Sequence, residues 1–175
     1  MAGDHSKGAS YQRQAQSDYQ IARCLRALQN GPLLARDARC HIASMCQQSI
    51  EKSVKSLYVA MRLTPKRTHQ VTGLIIDMIT VASGTIRSQL CRVFSPSARQ
   101  VACELGDLVP KSNLNDPSQV ARNNEYPFLI NREWIAPCDD SAFRDGEITR
   151  FLREAGRIVD GVTRIRAAIY RSRID

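Results

Sequence analysis

Glycine, aromatic side chains and histidine are all scarce in this chain: 9 glycines, 6% aromatics and three histidines in 175 residues. Few turn-formers among long runs of Ala, Leu, Ile, Gln, Arg and Glu favour helices. No segment shows convincing strand alternation and no internal repeat is visible, so the expected class is all-α. The six cysteines include no CxxC pair, and no histidine lies at finger spacing from a cysteine pair. A zinc site is therefore not expected, nor any other cofactor. The cysteines read as reduced, small core residues of a cytoplasmic protein. No apolar run reaches about 18 residues, which argues against a membrane span. The opening MAGDHSKGAS has no apolar stretch, so no signal peptide is expected.

What is present suits one folded unit. Hydrophobic residues make up 43%, and the length allows one domain with a real core but is short for two. Residues 1–10 are small and polar and read as a disordered tail, leaving 11–175 as a single helical domain. Lys and Arg number 25 against 17 Asp and Glu, a formal charge of +8. That excess attracts nucleic acid, nucleotides or an acidic protein, and is equally at home on a plain solvated surface.

The apolar periodicity predicts a first helix from about Tyr11 to Asn30, with Ile21, Ala22, Leu25 and Leu28 on its inner side. Asn30-Gly31-Pro32 stops it. A second helix is predicted from about Leu34 to Arg62. Ala43, Cys46, Ile50, Val54, Leu57 and Met61 form its core stripe, while Gln47, Gln48, Glu51, Lys52 and Lys55 fall largely off it. Glu51 and Lys55 stand four apart in the favourable order for a salt bridge. Thr68 is the expected N-cap of a third helix carrying Val71, Leu74, Ile75, Met78 and Ile79. Ser83-Gly84 marks a break, and residues 85–109 read as helix interrupted near Ser95-Pro96. From Pro110 to about Ser141 prolines recur among Asn and Asp, a long loop of the kind that often carries function.

The last helix, about Ser141 to Arg173, is the most regular. Ile148, Ala155, Val162 and Ile169 repeat every seven residues, with Phe151, Ile158 and Ile165 three later each time. Such a seam suits bundle packing or a dimer. Arg150, Arg157, Arg164 and Arg171 share the same period on one flank. A row of arginines can track phosphates, although a solvated flank is the more ordinary use of exposed Arg.

Two stretches in order, SDYQIARCLRALQNGPL and HIASMCQQSIEKSVKSLYVAMRLTPKRTHQVTGLI, resemble the HEPN family of small helical-bundle domains. The residues carrying the resemblance are Asp18, Ala22 and Gly31, then Gln47, Gln48, Glu51, Lys52 and Lys55, then Thr68-His69. A looser likeness joins ARNNEYPFL, residues 121–129, to the family's Arg-Tyr-Pro segment, with three residues here separating Arg122 from Tyr126. The resemblance covers about 15–75 well, 118–170 loosely and 80–117 least. It implies an up-and-down bundle of four to five helices with a long Pro-containing loop before the last helix, often dimeric. Some members are metal-independent ribonucleases, often toxins; others bind nucleotides or pair with a small nucleotidyltransferase.

Ribonuclease members carry Arg-x4-6-His, usually near the last helix. Histidine can move a proton at the ribose 2′-hydroxyl while arginine stabilises the phosphorane. Here the histidines are His5, His41 and His69, and the last helix has none. One Arg-x4-His does occur, Arg36 to His41. Five residues turn an α-helix through roughly 500°, so these two would not share a face. His69 reads as a turn histidine that either bonds backbone or lines a pocket. Lys52 and Lys55 are candidate phosphate ligands as point charges, Lys55 less so because Glu51 pairs with it. Gln47 and Gln48 are placed to join helices by amide hydrogen bonds. Tyr126, Pro127, Phe128 and Trp134, flanked by Arg122 and Arg132, suit either base stacking beside phosphate or pinning the loop to the bundle.

The expectation is a non-catalytic HEPN-type domain that binds nucleotide, RNA or a nucleotidyltransferase partner as a homodimer. Its phosphate-binding candidates are Lys52, Lys55, His69, Arg122 and Tyr126. The alternatives are a metal-independent ribonuclease using Arg36 and His41, and a purely structural dimerisation module.

Overall fold

The computed structural model describes residues 2–29, 38–65, 68–108, 128–130, 133–135 and 142–172, with side chains described from Ser6 onward and not for the strands. The helices are α1 (Ala2–Gln29), α2 (Arg39–Ala60), α3 (Thr72–Val81), α4 (Gly84–Val93), α5 (Pro96–Asp107) and α6 (Asp145–Arg171). Two short strands, β1 (Phe128–Ile130) and β2 (Glu133–Ile135), pair antiparallel before α6, with Leu129 opposite Trp134. The all-α expectation holds for the bundle; the hairpin is an addition that three-residue strands in a Pro- and Asn-rich segment do not announce.

α2 is the hub. α1 and α6 pack along it, and α3 and α5 also touch it. Its expected core stripe is buried, with Met61 half-buried, but so are Gln47, Ser49, Ser53, Ser56, Tyr58 and Val59. Of the predicted solvated flank, Gln47 is buried and Gln48, Glu51, Lys52 and Lys55 are half-buried. Two of these serine hydroxyls find acceptors, while that of Ser53 has none among the described residues: Ser49 donates to the Cys46 carbonyl at 2.8 Å. Ser56 donates to Gln12 Oε1 at 3.0 Å. Gln12 in turn donates to the Val159 carbonyl at 3.2 Å and to Thr163 Oγ1 at 2.9 Å, so one amide joins α1, α2 and α6.

α6 follows its sequence pattern closely. Ile148, Phe151, Ala155, Ile158, Val162, Ile165 and Ile169 are all buried. Its first turn holds Asp145 and Glu147, favourable at the positive end of the helix dipole. The Glu147 carboxylate accepts from the Arg144 backbone N–H at 3.3 Å. The Ser83-Gly84 break is where α4 starts, with Gly84 at φ +53. The Ser95-Pro96 interruption separates α4 from α5, Ser95 capping Ala98 N–H and Pro96 opening the helix.

Several boundaries differ from expectation. α1 begins at Ala2 rather than Tyr11; Gly8 packs onto Val59 and the Ser56 carbonyl, which draws the first turns onto the bundle. On α1, Ala22 is buried but Ile21 and Leu28 are exposed, at 45% and 52%. α2 ends at Ala60, where Arg62 adopts a left-handed φ of 62. The Arg62 N–H bonds the Val59 carbonyl and the Leu63 N–H bonds that of Tyr58, a Schellman cap. Thr68 does not cap α3: Val71 is the N-cap residue, and Thr68 Oγ1 accepts from the Gln70 N–H at 3.1 Å within the preceding turn. Of the described cysteines only Cys40 and Cys46 are buried, while Cys24, Cys91 and Cys103 are exposed.

Candidate functional site

The two glutamines, Glu51 and the two lysines of α2 form one polar network rather than a free face. Asp18 on α1 is nearly buried, its side chain 4% exposed. Lys52 Nζ reaches its Oδ2 at 2.6 Å and also Gln48 Oε1 at 3.2 Å. Gln14 Nε2 donates to Asp18 Oδ1 at 2.8 Å. One turn along, Glu51 accepts from Lys55 Nζ at 2.6 Å and from Gln47 Nε2 at 2.9 Å. His69 Nδ1 lies 2.9 Å from Glu51 Oε2, a contact that needs the proton on Nδ1 because a carboxylate only accepts. Burial raises the Glu51 carboxyl, but Lys55, His69 and Gln47 outweigh it and hold the group below its ordinary value.

The network ties α1 to α2 and α2 to the turn before α3. Gln47 and Gln48 serve it within α2 instead of joining helices directly. Both lysine ammoniums are already neutralised by carboxylates, and a phosphate approaching them must compete with Asp18 and Glu51. His69 is exposed but spoken for by Glu51. His41 is exposed near the N-terminal end of α2. Ten residues separate it from Glu51, about 15 Å along the helix, so His41 and His69 do not converge. Arg36, Arg122 and Tyr126 lie outside the described residues, as does Arg132. Among the described residues no three His, Cys, Asp or Glu side chains gather as a metal site.

The arginine row of α6 divides. Arg150 binds Glu104 of α5 through two guanidinium nitrogens, one of them at 3.1 Å. Arg157 NH1 donates to the buried Glu154 at 2.9 Å, and Arg153 Nε donates to the other oxygen at 3.3 Å. Arg164 makes no ion pair among the described residues and faces a hollow between α1, α4 and α6. This hollow, about 510 Å3, is lined by Tyr19, Arg92, Arg153, Arg157, Asp160 and Arg164, with Gly156 and Val93 on its walls. Burial raises the Tyr19 phenol above its ordinary value, Arg23 opposes this, and Asp160 adds to it. Arg92, Arg153 and Tyr19 were not singled out in the sequence. Only the seven-residue arginine row, through Arg157 and Arg164, hinted at part of the set.

The described part of the chain is thus a helical bundle around a central helix, with a partly buried acidic–basic network and an arginine-lined hollow. A family model of the HEPN domain matches residues 13–100. That is just over half of the chain, and the chain belongs to the HEPN domain family. The match runs through 80–100, where the motif resemblance is thinnest, and stops before Arg122 and Tyr126. No curated protein and no solved structure matches the chain. Among the described residues no helix is long and apolar enough to cross a membrane.

Proposed function

We propose that this HEPN domain binds a phosphate-bearing ligand, nucleotide or RNA, without cutting it, and does so as a homodimer. The observation carrying the reading is the arginine face of α6. Arg153, Arg157 and Arg164 fall on one side of the helix, joined by Arg92 from α4, while the opposite side is the buried seam. Guanidiniums in that setting offer forked donors suited to phosphate oxygens. The formal charge of +8 adds long-range attraction. Ile21 and Leu28, exposed one heptad apart on α1, support a second copy as the partner.

Ribonuclease chemistry would need an arginine and a histidine converging on one phosphate. α6 has no histidine, and the two histidines with described side chains stand apart. The test is RNA cleavage with EDTA present, comparing the native protein with His41→Ala. Neither protein is expected to cleave. Cleavage by the native protein that disappears in the variant would put Arg36 and His41 to catalytic use and overturn the reading.

A further inference from the structure

Arg166 is a buried cation without an anion. It stands on α6 and is only 9% exposed. Its Nε is buried with no hydrogen-bond partner, and no ion pair reaches it among the described residues. A guanidinium taken out of water is costly unless it is paired and hydrogen-bonded. The Tyr170 ring, its centroid 5.6 Å away, offsets part of that cost. One turn back along α6, the Thr163 hydroxyl is already engaged by Gln12.

The beginning of α1 covers this cation. A Cβ on Gly8 would stand 3.6 Å from Arg166 Nη2, 3.3 Å from Val59 Cγ1 and 3.4 Å from the Ser56 carbonyl oxygen. Glycine at this point lets the first turns of α1 lie close on α2 and α6. Those turns are weakly held. Their sequence, AGDHSKGAS, has two glycines, two serines and an aspartate, which form helix poorly. Ahead of Gln12, Gly8 is the one buried position among the described side chains, while Ser6, Lys7 and Ser10 are exposed. From Gln12 onward the anchoring is firm. Gln12 bonds to both α2 and α6, and Ala15, Asp18 and Ala22 are buried. A segment with so few buried contacts belongs to the low-stability end of a fold, and docking it here also strips water from a charge.

We propose that residues 2–11 are a strap poised to lift from Arg166, hinged at Gln12 and held open by an oxyanion that pairs with the uncovered guanidinium. The closed form sets packing at Gly8 against the lost hydration of Arg166. The lifted form gives up that packing and returns the charge to water. An anion that meets Arg166 only in the lifted form shifts the balance toward it, by its differential affinity for the two forms. Arg166 is buried, apart from the exposed Arg153, Arg157 and Arg164, so the device stands independently of the phosphate-binding reading.

The test follows hydrogen exchange of the amides of residues 6–10 and trypsin cleavage after Lys7 in the full chain, with sulfate as the oxyanion. Arg166→Met keeps most of the side-chain volume and strands no carboxylate, so the variant should fold. It is expected to slow exchange and cleavage in the strap about tenfold or more, because docking no longer buries a charge. Sulfate is expected to speed strap exchange in the native protein and not in Arg166→Met. That direction runs against the general tendency of sulfate to favour burial. Gly8→Leu, too large for the gap against Val59, is expected to free the strap and speed cleavage after Lys7. Faster strap exchange in Arg166→Met would make Arg166 the clasp that holds the strap down, and unchanged exchange would mean that its charge does not oppose docking; either overturns the proposal. Sulfate acting equally on both proteins, or on neither, overturns the oxyanion as the opener. Cleavage unchanged by Gly8→Leu overturns the docking at Gly8.

Discussion

Replacing Lys52 with methionine keeps most of the side-chain volume and removes the ammonium that faces Asp18. The structure sets the size of the effect. The Asp18 carboxylate is 4% exposed and keeps only the Gln14 amide as a donor once Lys52 is gone. Breaking a buried pair from one side costs about 3–5 kcal/mol. Lys52 is 24% exposed, so water reaches part of the vacated space, and the expected loss is nearer 2–3 kcal/mol. Asp18→Asn in the same chain removes the stranded charge and should recover about 2 kcal/mol of it, which a double-mutant cycle isolates. The assay is urea unfolding followed by far-UV circular dichroism, with the slope checked for two-state behaviour. If Lys52→Met alone lies within about 0.5 kcal/mol of the native protein, the pair is not structural. Lys52 would then be free to serve a ligand.

Three further outcomes follow from the same geometry. Glu51 has its carboxyl held below the ordinary value, so its stabilisation is present above about pH 4.3 and is lost as pH falls through the lowered value. Acid unfolding of Glu51→Gln should therefore be flatter with pH in that range. Burial pushes the Cys46 thiol up to about 12. In the native protein iodoacetamide should spare Cys46 and label the exposed Cys24, Cys91 and Cys103, which peptide mapping reads directly. Arg62 holds a left-handed φ at the end of α2, and Arg62→Gly should raise stability by about 0.5–1 kcal/mol in the same urea assay.

The parts of the fold that read well from sequence are those whose residues answer to their own helix. The α6 seam is apolar at every expected position, and a regular period survives any tertiary arrangement. Gly84 and Pro96 announce their breaks through backbone chemistry alone. α2 read less well because its polar residues are answered from elsewhere. Ser56 is satisfied by Gln12 across the bundle and Lys52 by Asp18 on α1, so a flank that looks solvated is half-covered. The Glu51–Lys55 pair was legible because it is local; the His69 contact to Glu51 depends on where the turn folds back. The hollow was the least legible feature. Arg92, Tyr19 and Gly156 are far apart in the chain, and what joins them is the close approach that Gly156 and Gly161 permit.

The most direct measurement is the affinity of the native protein for ATP and for a short single-stranded RNA across a salt series. The account predicts binding that weakens steadily with salt, log K falling against log salt with a slope of roughly −2 to −3 for RNA, as three or four phosphate contacts would give. Affinity indifferent to salt, or no affinity for either ligand at low salt, would contradict it.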